Sequence, residues 1–320
     1  MSFKLHQLRY LVALAEGGSI RAAARQLGLS QASLTQGLRE LEAHSRLGLF
    51  DRHNRGVGLT PAGQELLAHA KHLQAQVEAA EQAMARHRGQ APARRLRVGV
   101  TPWVAQTLLP PVVMAFRQAW PQVQLELLDG LSLLAYPRLR DGSLDLLIGR
   151  VGPASVMQGL QMRPLFRYDM TVVAGVGHAK VKARAMAELL DQDWVANFAA
   201  TEKEAFLHNL FGQHGLVLPD HRLHLAHSAS LMLTLVEQAN MLCVVPWPLV
   251  ETWCQRYKVQ PLHLQERLHH NVAGVVHRSG AYQDESAQAF VRLLIEEAQR
   301  RAASDERHWR HVFESVEMLP

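Results

Sequence analysis

Cysteine is scarce in this chain, with two among 320 residues, Cys243 and Cys254. They read as lying on a buried strand and a helix, at a spacing that fits neither a disulfide framework nor a metal site, so inert structural thiols are expected. Long apolar runs are missing too. Nothing approaches the roughly 18 consecutive apolar residues of a membrane-crossing helix, and no basic start leads into an apolar core as in an export signal. The expectation is a cytoplasmic protein with no membrane partner. Catalytic signatures are also lacking: no glycine-rich phosphate loop follows a strand, no Gly-x-Ser-x-Gly elbow occurs, and no His-Glu-x-x-His helix is present. No catalytic residue, cofactor or enzymatic activity is therefore expected. Eighteen histidines invite a metal. Yet His224 with His227, His269 with His270, and His308 with His311 lack a carboxylate or cysteine set at ligand spacing, so metal binding is not expected.

Hydrophobic residues are plentiful, at 48% of a chain longer than one ordinary core, which predicts two or three folded domains. Charge is unevenly shared. The formal net charge is +5, but residues 1–97 carry 14 Lys and Arg against 7 Asp and Glu, while the remainder carries 20 against 22. A polyanion would be drawn to the first third, although a solvated basic face would look the same.

Leu8, Leu11, Val12 and Ala15 recur at helical spacing, Gly17-Gly18 interrupt the run, and Ser19 can cap a second helix carrying Ile20, Ala23, Ala24 and Leu27. Gly28 tolerates the left-handed conformation, and Ser30 can cap a third helix to about Ala43, with Leu34, Leu38 and Leu41 inward. This is a helix-turn-helix pattern, whose second helix enters the major groove and needs hydrogen-bonding side chains on its outer face. Gln31, Ser33, Thr35 and Gln36 meet that need, and Arg39 stands where a phosphate contact is natural. Leu49-Phe50 then reads as a short strand and residues 52–59 as a hairpin wing, with Arg52 and Arg55 suited to phosphates or the minor groove. Thr60 caps the next helix, with Pro61 in its first turn.

The run Gly18-Ser19-Ile20-Arg21-Ala22-Ala23-Ala24, then Leu27-Gly28-Leu29-Ser30-Gln31, Leu41-Glu42, Leu49-Phe50-Asp51-Arg52 and Leu59-Thr60-Pro61-Ala62-Gly63, resembles the signature of LysR-type transcription regulators over about sixty residues. Three positions depart from it: Ala32 replaces a usual proline, Gln36 a usual basic residue, and Arg46 the glycine that ends the third helix. Gln36 and Gly37 are expected to change the surface offered to bases. The resemblance implies an N-terminal all-α winged helix-turn-helix with a long linker helix, and a C-terminal α/β effector domain of two periplasmic-binding-protein-like lobes. It implies a DNA-contacting set of Ser19, Arg21, Ser30, Gln31, Ser33, Leu34, Thr35, Gln36, Arg39, Arg52 and Arg55. The implied partners are double-stranded DNA, a small effector, further copies of the chain as dimer or tetramer, and RNA polymerase.

From Ala62 to about Arg88 there is no proline, and Leu66, Ala70, Leu73, Val77, Ala80 and Met84 alternate spacings of four and three as a heptad seam. A narrow, sustained seam favours pairing with a second copy; packing against the rest of the same chain is the alternative. The resemblance points to dimerisation.

After a short hinge at 89–93, Leu96 to Val100 alternates as a strand and Thr101-Pro102 opens a helix. Further strands are expected at 123–127, 144–149, 160–166, 170–174, 194–197, 223–226 and 242–245, with helices between most of them, which makes the fold α/β. Thr101, Thr201 with Glu204, and Ser228 read as helix caps. If the strands are parallel, these helix starts lie beyond strand carboxyl ends, where open α/β sheets bind ligands. The boundaries that follow are 1–61 for the DNA reader, 62–89 for the linker, 94–167 plus 269–300 for one lobe, 168–268 for the other, and 301–320 for an extra helix on which Trp309, Val312, Phe313 and Val316 share a face. Effector contacts are expected from Thr101, Trp103, Gly130, Ser132, Arg150, Asn197, Thr201 and Ser228, with Arg150 pairing an anionic organic effector and Trp103 stacking on a ring.

Overall fold

A computed structural model describes residues 3–53, 56–87, 94–130, 132–152, 157–198, 202–278 and 284–319. The chain divides into two compact units, residues 1–94 with 137–144, and 95–136 with 145–320.

In the first unit, α1 (Leu5–Gly17), α2 (Ile20–Leu27) and α3 (Gln31–Ser45) precede a hairpin of β1 (Phe50–His53) and β2 (Gly56–Leu59), then α4 (Pro61–His87). The caps are local. Ser19 Oγ accepts from the Ala22 N–H at 3.2 Å and Ser30 Oγ from the Ser33 N–H at 3.0 Å, while Gly18 and Gly28 take φ of 65° and 66° to leave the preceding helices. Leu8, Leu11, Val12, Leu41, Leu49 and Ala70 form one core cluster, and Ala13, Leu14, Ala23, Ala24, Leu34 and Leu38 another. Leu14, not the expected Ala15, takes the inward position on α1; Ala15 is exposed. The Glu42 carboxylate accepts from the Leu49 and Phe50 N–H groups at 2.8 and 3.2 Å, which ties α3 to the wing. Thr60 Oγ1 donates to the Gly48 carbonyl and accepts from the Gly63 N–H, and a Cβ at Gly63 would stand 2.1 Å from the Leu49 carbonyl oxygen. Only glycine lets α4 start there.

In the second unit, β3 (Arg94–Val100), β4 (Val123–Asp129), β5 (Leu146–Arg150), β6 (Leu160–Tyr168), β12 (Asn271–Arg278) and β13 (Val316–Met318) make a six-stranded sheet in the order β13-β6-β12-β5-β3-β4. Here β3 and β5 are parallel, while β12 runs antiparallel to both β5 and β6. A smaller antiparallel sheet has the order β10-β7-β11, from β7 (Met170–Gly175), β10 (Cys243–Pro246) and β11 (Val259–Pro261), and β8 (Trp194–Ala196) pairs in parallel with β9 (Leu223–Leu225). Helices α5 (Pro102–Thr107), α6 (Leu109–Ala119) and α11 (Glu285–Ala302) accompany the large sheet; α8 (Lys203–Leu210), α9 (Ala229–Gln238) and α10 (Trp247–Arg256) lie among the strands of the smaller ones. Asp145, just before β5, accepts from the Arg97 backbone N–H at 2.8 Å and from its guanidinium at 3.1 and 2.9 Å, which locks β5 beside β3.

Strands β11 and β12, the latter pairing on both sides in the large sheet, are not among the expected strands. The segment after Ala302 is not one helix: α12 (Arg307–Phe313) buries Trp309 and Val312, and Val316 then enters β13, which pairs with β6. The Arg301 guanidinium lies 3.6 Å from the Trp309 ring centroid and fixes this turn.

Candidate functional site

Two surfaces carry the chemistry, one in each unit. On α3, Gln31, Ser33, Gln36 and Arg39 are exposed, Thr35 is half-buried, and Ser19, Arg21 and Ser30 are exposed at the preceding turn and cap. Their hydrogen bonds sort them. Ser33 shares a 2.8 Å hydroxyl contact with Ser30, Thr35 donates to the Gln31 carbonyl at 2.7 Å, and Gln36 donates to Glu40 at 3.1 Å. Gln31 and Arg39 have no side-chain hydrogen bond to a described residue and are the groups readiest to meet an outside partner. Leu34 is corrected: at 0% exposure it belongs to the core. Gly37 is buried as well, and a Cβ there would stand 2.5 Å from Tyr10 Cε2, so this glycine lets Tyr10 pack on α3 and offers nothing to bases. Arg55 and the Arg52 side chain lie outside the described residues.

Along α4 the expected seam divides. Ala70, at 1% exposure, fills the core of the first unit, and Leu66 packs against that cluster, so neither is free for a partner. Leu73 at 46% and Met84 at 55% are exposed, as is Ala80, with Val77 half-buried.

In the second unit a cavity of about 260 Å³ opens where strand ends converge: Thr101 after β3, Gly130 after β4, Arg150 closing β5, Tyr168 closing β6, Asn197 after β8 and Pro246 closing β10. This is the position that open α/β topology favours for a ligand. Thr101, Trp103, Gly130, Arg150 and Asn197 line it as expected. Ser228 is not among its described lining; it is exposed and accepts from the Leu231 N–H at 3.5 Å as a cap of α9, and the Ser132 side chain lies outside the described residues. Thr201 lies outside the described residues, and the residue preceding α8 is Glu202.

The expected roles of Arg150 and Trp103 change. Arg150 donates to the Glu202 carboxylate, so it is already paired, and its backbone carbonyl accepts the Tyr136 hydroxyl at 2.7 Å. Trp103 is wholly buried, with its ring 5.2 Å edge-on to Phe166 and 5.5 Å from Tyr168, which leaves no free face for a ligand. An aromatic wall exists elsewhere, in Phe198 and Phe206 at 4.6 Å, both lining the cavity. Burial raises the Tyr168 phenol well above its ordinary pKa, with the charge of Arg150 opposing, so the hydroxyl stays protonated. Two polar atoms of the lining, Thr101 Oγ1 and Asn197 Oδ1, are buried without a hydrogen bond to a described residue, while the Trp103 side chain is hydrogen-bonded to Tyr168.

Residues 5–64 match the family model described as bacterial regulatory helix-turn-helix protein, lysR family, and residues 89–299 match the LysR substrate binding domain. The chain belongs to the LysR family. Among curated relatives it is 26% identical over 194 residues to the regulator TdcA of Escherichia coli K12, covering 60% of this chain and 62% of that protein. It is 34% identical over 189 residues to a probable hydrogen peroxide-inducible genes activator of Mycobacterium avium, covering 57% and 59%. The chain thus spans about three-fifths of the length of the curated relatives it matches. Two solved structures share its fold at 20% identity and a TM-score of 0.60: a full-length OxyR from Pseudomonas aeruginosa, with coverage of 93% of this chain and 95% of that one, and CbnR, a LysR family transcriptional regulator, with 95% and 100%.

In this LysR-family chain the thiols are not activated. Burial pushes Cys243 up to about 12, and burial followed by the charge of Glu251 raises Cys254. Among the described residues no helix is long and apolar enough to cross a membrane, and no cluster of His, Cys, Asp or Glu could hold a metal. Sequence reasoning missed Tyr168, Glu202, Phe206 and Asn271 of the cavity. For Glu202 a signal exists in the sequence, an acidic side chain at the start of the helix after β8, beside the capping pattern of Thr201 with Glu204.

Proposed function

We propose that this chain is a DNA-binding transcription regulator, working in the cytoplasm, whose α3 reads a duplex and whose cavity takes a small organic effector, without catalysing a reaction. The carrying observation is the polar outer edge of α3, with Gln31 and Arg39 uncommitted, on a unit whose core is filled without them. CbnR, which shares the fold, has been captured with its target DNA. Residues 1–61 form the reader, 62–89 the linker, 94–167 with 269–300 one lobe and 168–268 the other. The copies pair as a dimer or tetramer along Leu73, Val77, Ala80 and Met84, the part of the seam left over once Leu66 and Ala70 are used inside the reader. Effector binding shifts the balance between two arrangements of the dimer and so the spacing of its two reading helices, which is how RNA polymerase recruitment would be altered.

The test is binding of the purified full chain to genomic duplex fragments across a salt series. A sequence-selective, strongly salt-dependent complex is expected, with Arg52→Ala and Arg55→Ala each reducing the salt slope by about 0.9. A chain that stays monomeric and ignores duplex at low salt overturns the reading.

A further inference from the structure

The cavity's two charges cancel each other. Arg150 and Glu202 are the charged residues among its described lining, they are bonded to one another, and the Glu202 side chain keeps 17% of its exposure against 40% for Arg150. In the sequence, Leu131, 153–156 and 199–201 contain no charged residue. Of the other titratable lining groups, burial keeps the Tyr168 phenol protonated, and His269 is exposed.

Resting on the reading of this cavity as the effector site, we propose that its ligand is an uncharged, flat molecule bearing both a hydrogen-bond donor and an acceptor, and that Glu202 is the residue that turns carboxylates away. A carboxylate has one strong partner available here, the Arg150 guanidinium. To reach it the ligand must break the Arg150–Glu202 ion pair or bind beside it as a second negative charge. Both cost far more than a bond regained to Arg150 returns. A neutral ligand disturbs nothing. Asn197 Oδ1 accepts a donor and Thr101 Oγ1 donates to an acceptor; neither has a hydrogen bond to a described residue. The Phe198 and Phe206 rings supply an apolar wall for a flat group. A primary amide on a ring satisfies all of these demands, and the isosteric acid fails on charge alone.

The experiment uses three matched pairs, benzoate and benzamide, nicotinate and nicotinamide, salicylate and salicylamide, titrated against the full chain while its melting temperature is followed. In the unaltered protein the amide of each pair should bind about tenfold tighter than its acid. Glu202→Gln frees the Arg150 guanidinium and should reverse that order. Because a single charge removal could harm folding, the double variant R150Q/E202Q, with both charges gone, is measured alongside and should keep the amide preference. Acids preferred by the unaltered protein would overturn the proposal while leaving the cavity as the effector site. An order unchanged in E202Q would remove Glu202 as the selector. If no acid and no amide stabilises any of the three proteins, the cavity is not a ring-binding site and the reading beneath the proposal falls with it.

Discussion

The two units of this chain are held together over different distances along the sequence. In the first, the bonds that set each boundary are short-range: Ser19 to Ala22, Ser30 to Ser33, Glu42 to Leu49, Thr60 to Gly63. In the second they span the chain, as in Arg97 with Asp145, Arg150 with Glu202, and β12 inserted between β5 and β6 from more than a hundred residues away. Local chemistry builds a unit whose surface is dictated turn by turn. A binding cavity is assembled from strand ends that have nothing to do with one another until the sheets form.

This contrast can be broken most directly at two glycines. Gly63→Ala drives a Cβ against the Leu49 carbonyl, and Gly274→Ala drives one to 2.4 Å from the Arg163 carbonyl at the β12 bulge. Each backbone clash should cost about 3 kcal/mol or more. Two-transition melting should show the first lowering only the transition of the reader and the second only that of the effector unit; a joint loss would mean that the units do not fold separately. Next in size, Leu34→Ala should destabilise the reader by about 2–5 kcal/mol in denaturant titration. Its neighbour Gln31→Ala should leave stability within about 0.5 kcal/mol and instead reduce discrimination for the preferred duplex by about 1–3 kcal/mol in competition binding. Equal losses on every sequence would strip Gln31 of its reading role.

A smaller, favourable change is expected at Arg46, which ends α3 with φ 55° where glycine carries no penalty. Arg46→Gly should stabilise the reader by about 1 kcal/mol, seen as a higher denaturation midpoint with unchanged slope. The smallest effect belongs to Glu188 in the effector unit, whose carboxylate accepts from the Arg184 and Ala185 N–H groups at 2.9 Å and is held below its ordinary range by them. A depressed carboxylate contributes stability that is present above its unfolded pKa and is lost as pH falls through the folded one. Glu188→Gln should therefore lower the effector unit's stability slightly at neutral pH, leave it nearly unchanged below the folded pKa, and so flatten the acid side of its stability profile.

Much of the reader was legible because its signals are near neighbours: the caps at Ser19 and Ser30, the left-handed turns at Gly18 and Gly28, and the hairpin from Phe50 to Leu59 all stand where the sequence reading puts them. The expected strands of the effector unit also appear, displaced by no more than a few residues at their ends. Strand β12 escaped because Gly274 and the His277-Arg278 end break its apolar run. That glycine is needed at the bulge, where a Cβ would meet a neighbouring strand's backbone that the sequence cannot announce. Val316 was misread for a related reason: two turns of helix and a short strand share the same few apolar residues, and the open edge of β6 decided between them.

Composition and local pattern by themselves determined the family, the helix caps and left-handed turns of the first unit, and the polar character of the outer face of α3, since periodicity, caps and turns are properties of residues a few positions apart. Tertiary structure alone decided that Leu34 and Ala70 are core, that Trp103 is walled in by Phe166 and Tyr168, and that Arg150 meets Glu202. Burial and charge pairing arise from distances across the fold, and those exist only after the strands have found their neighbours.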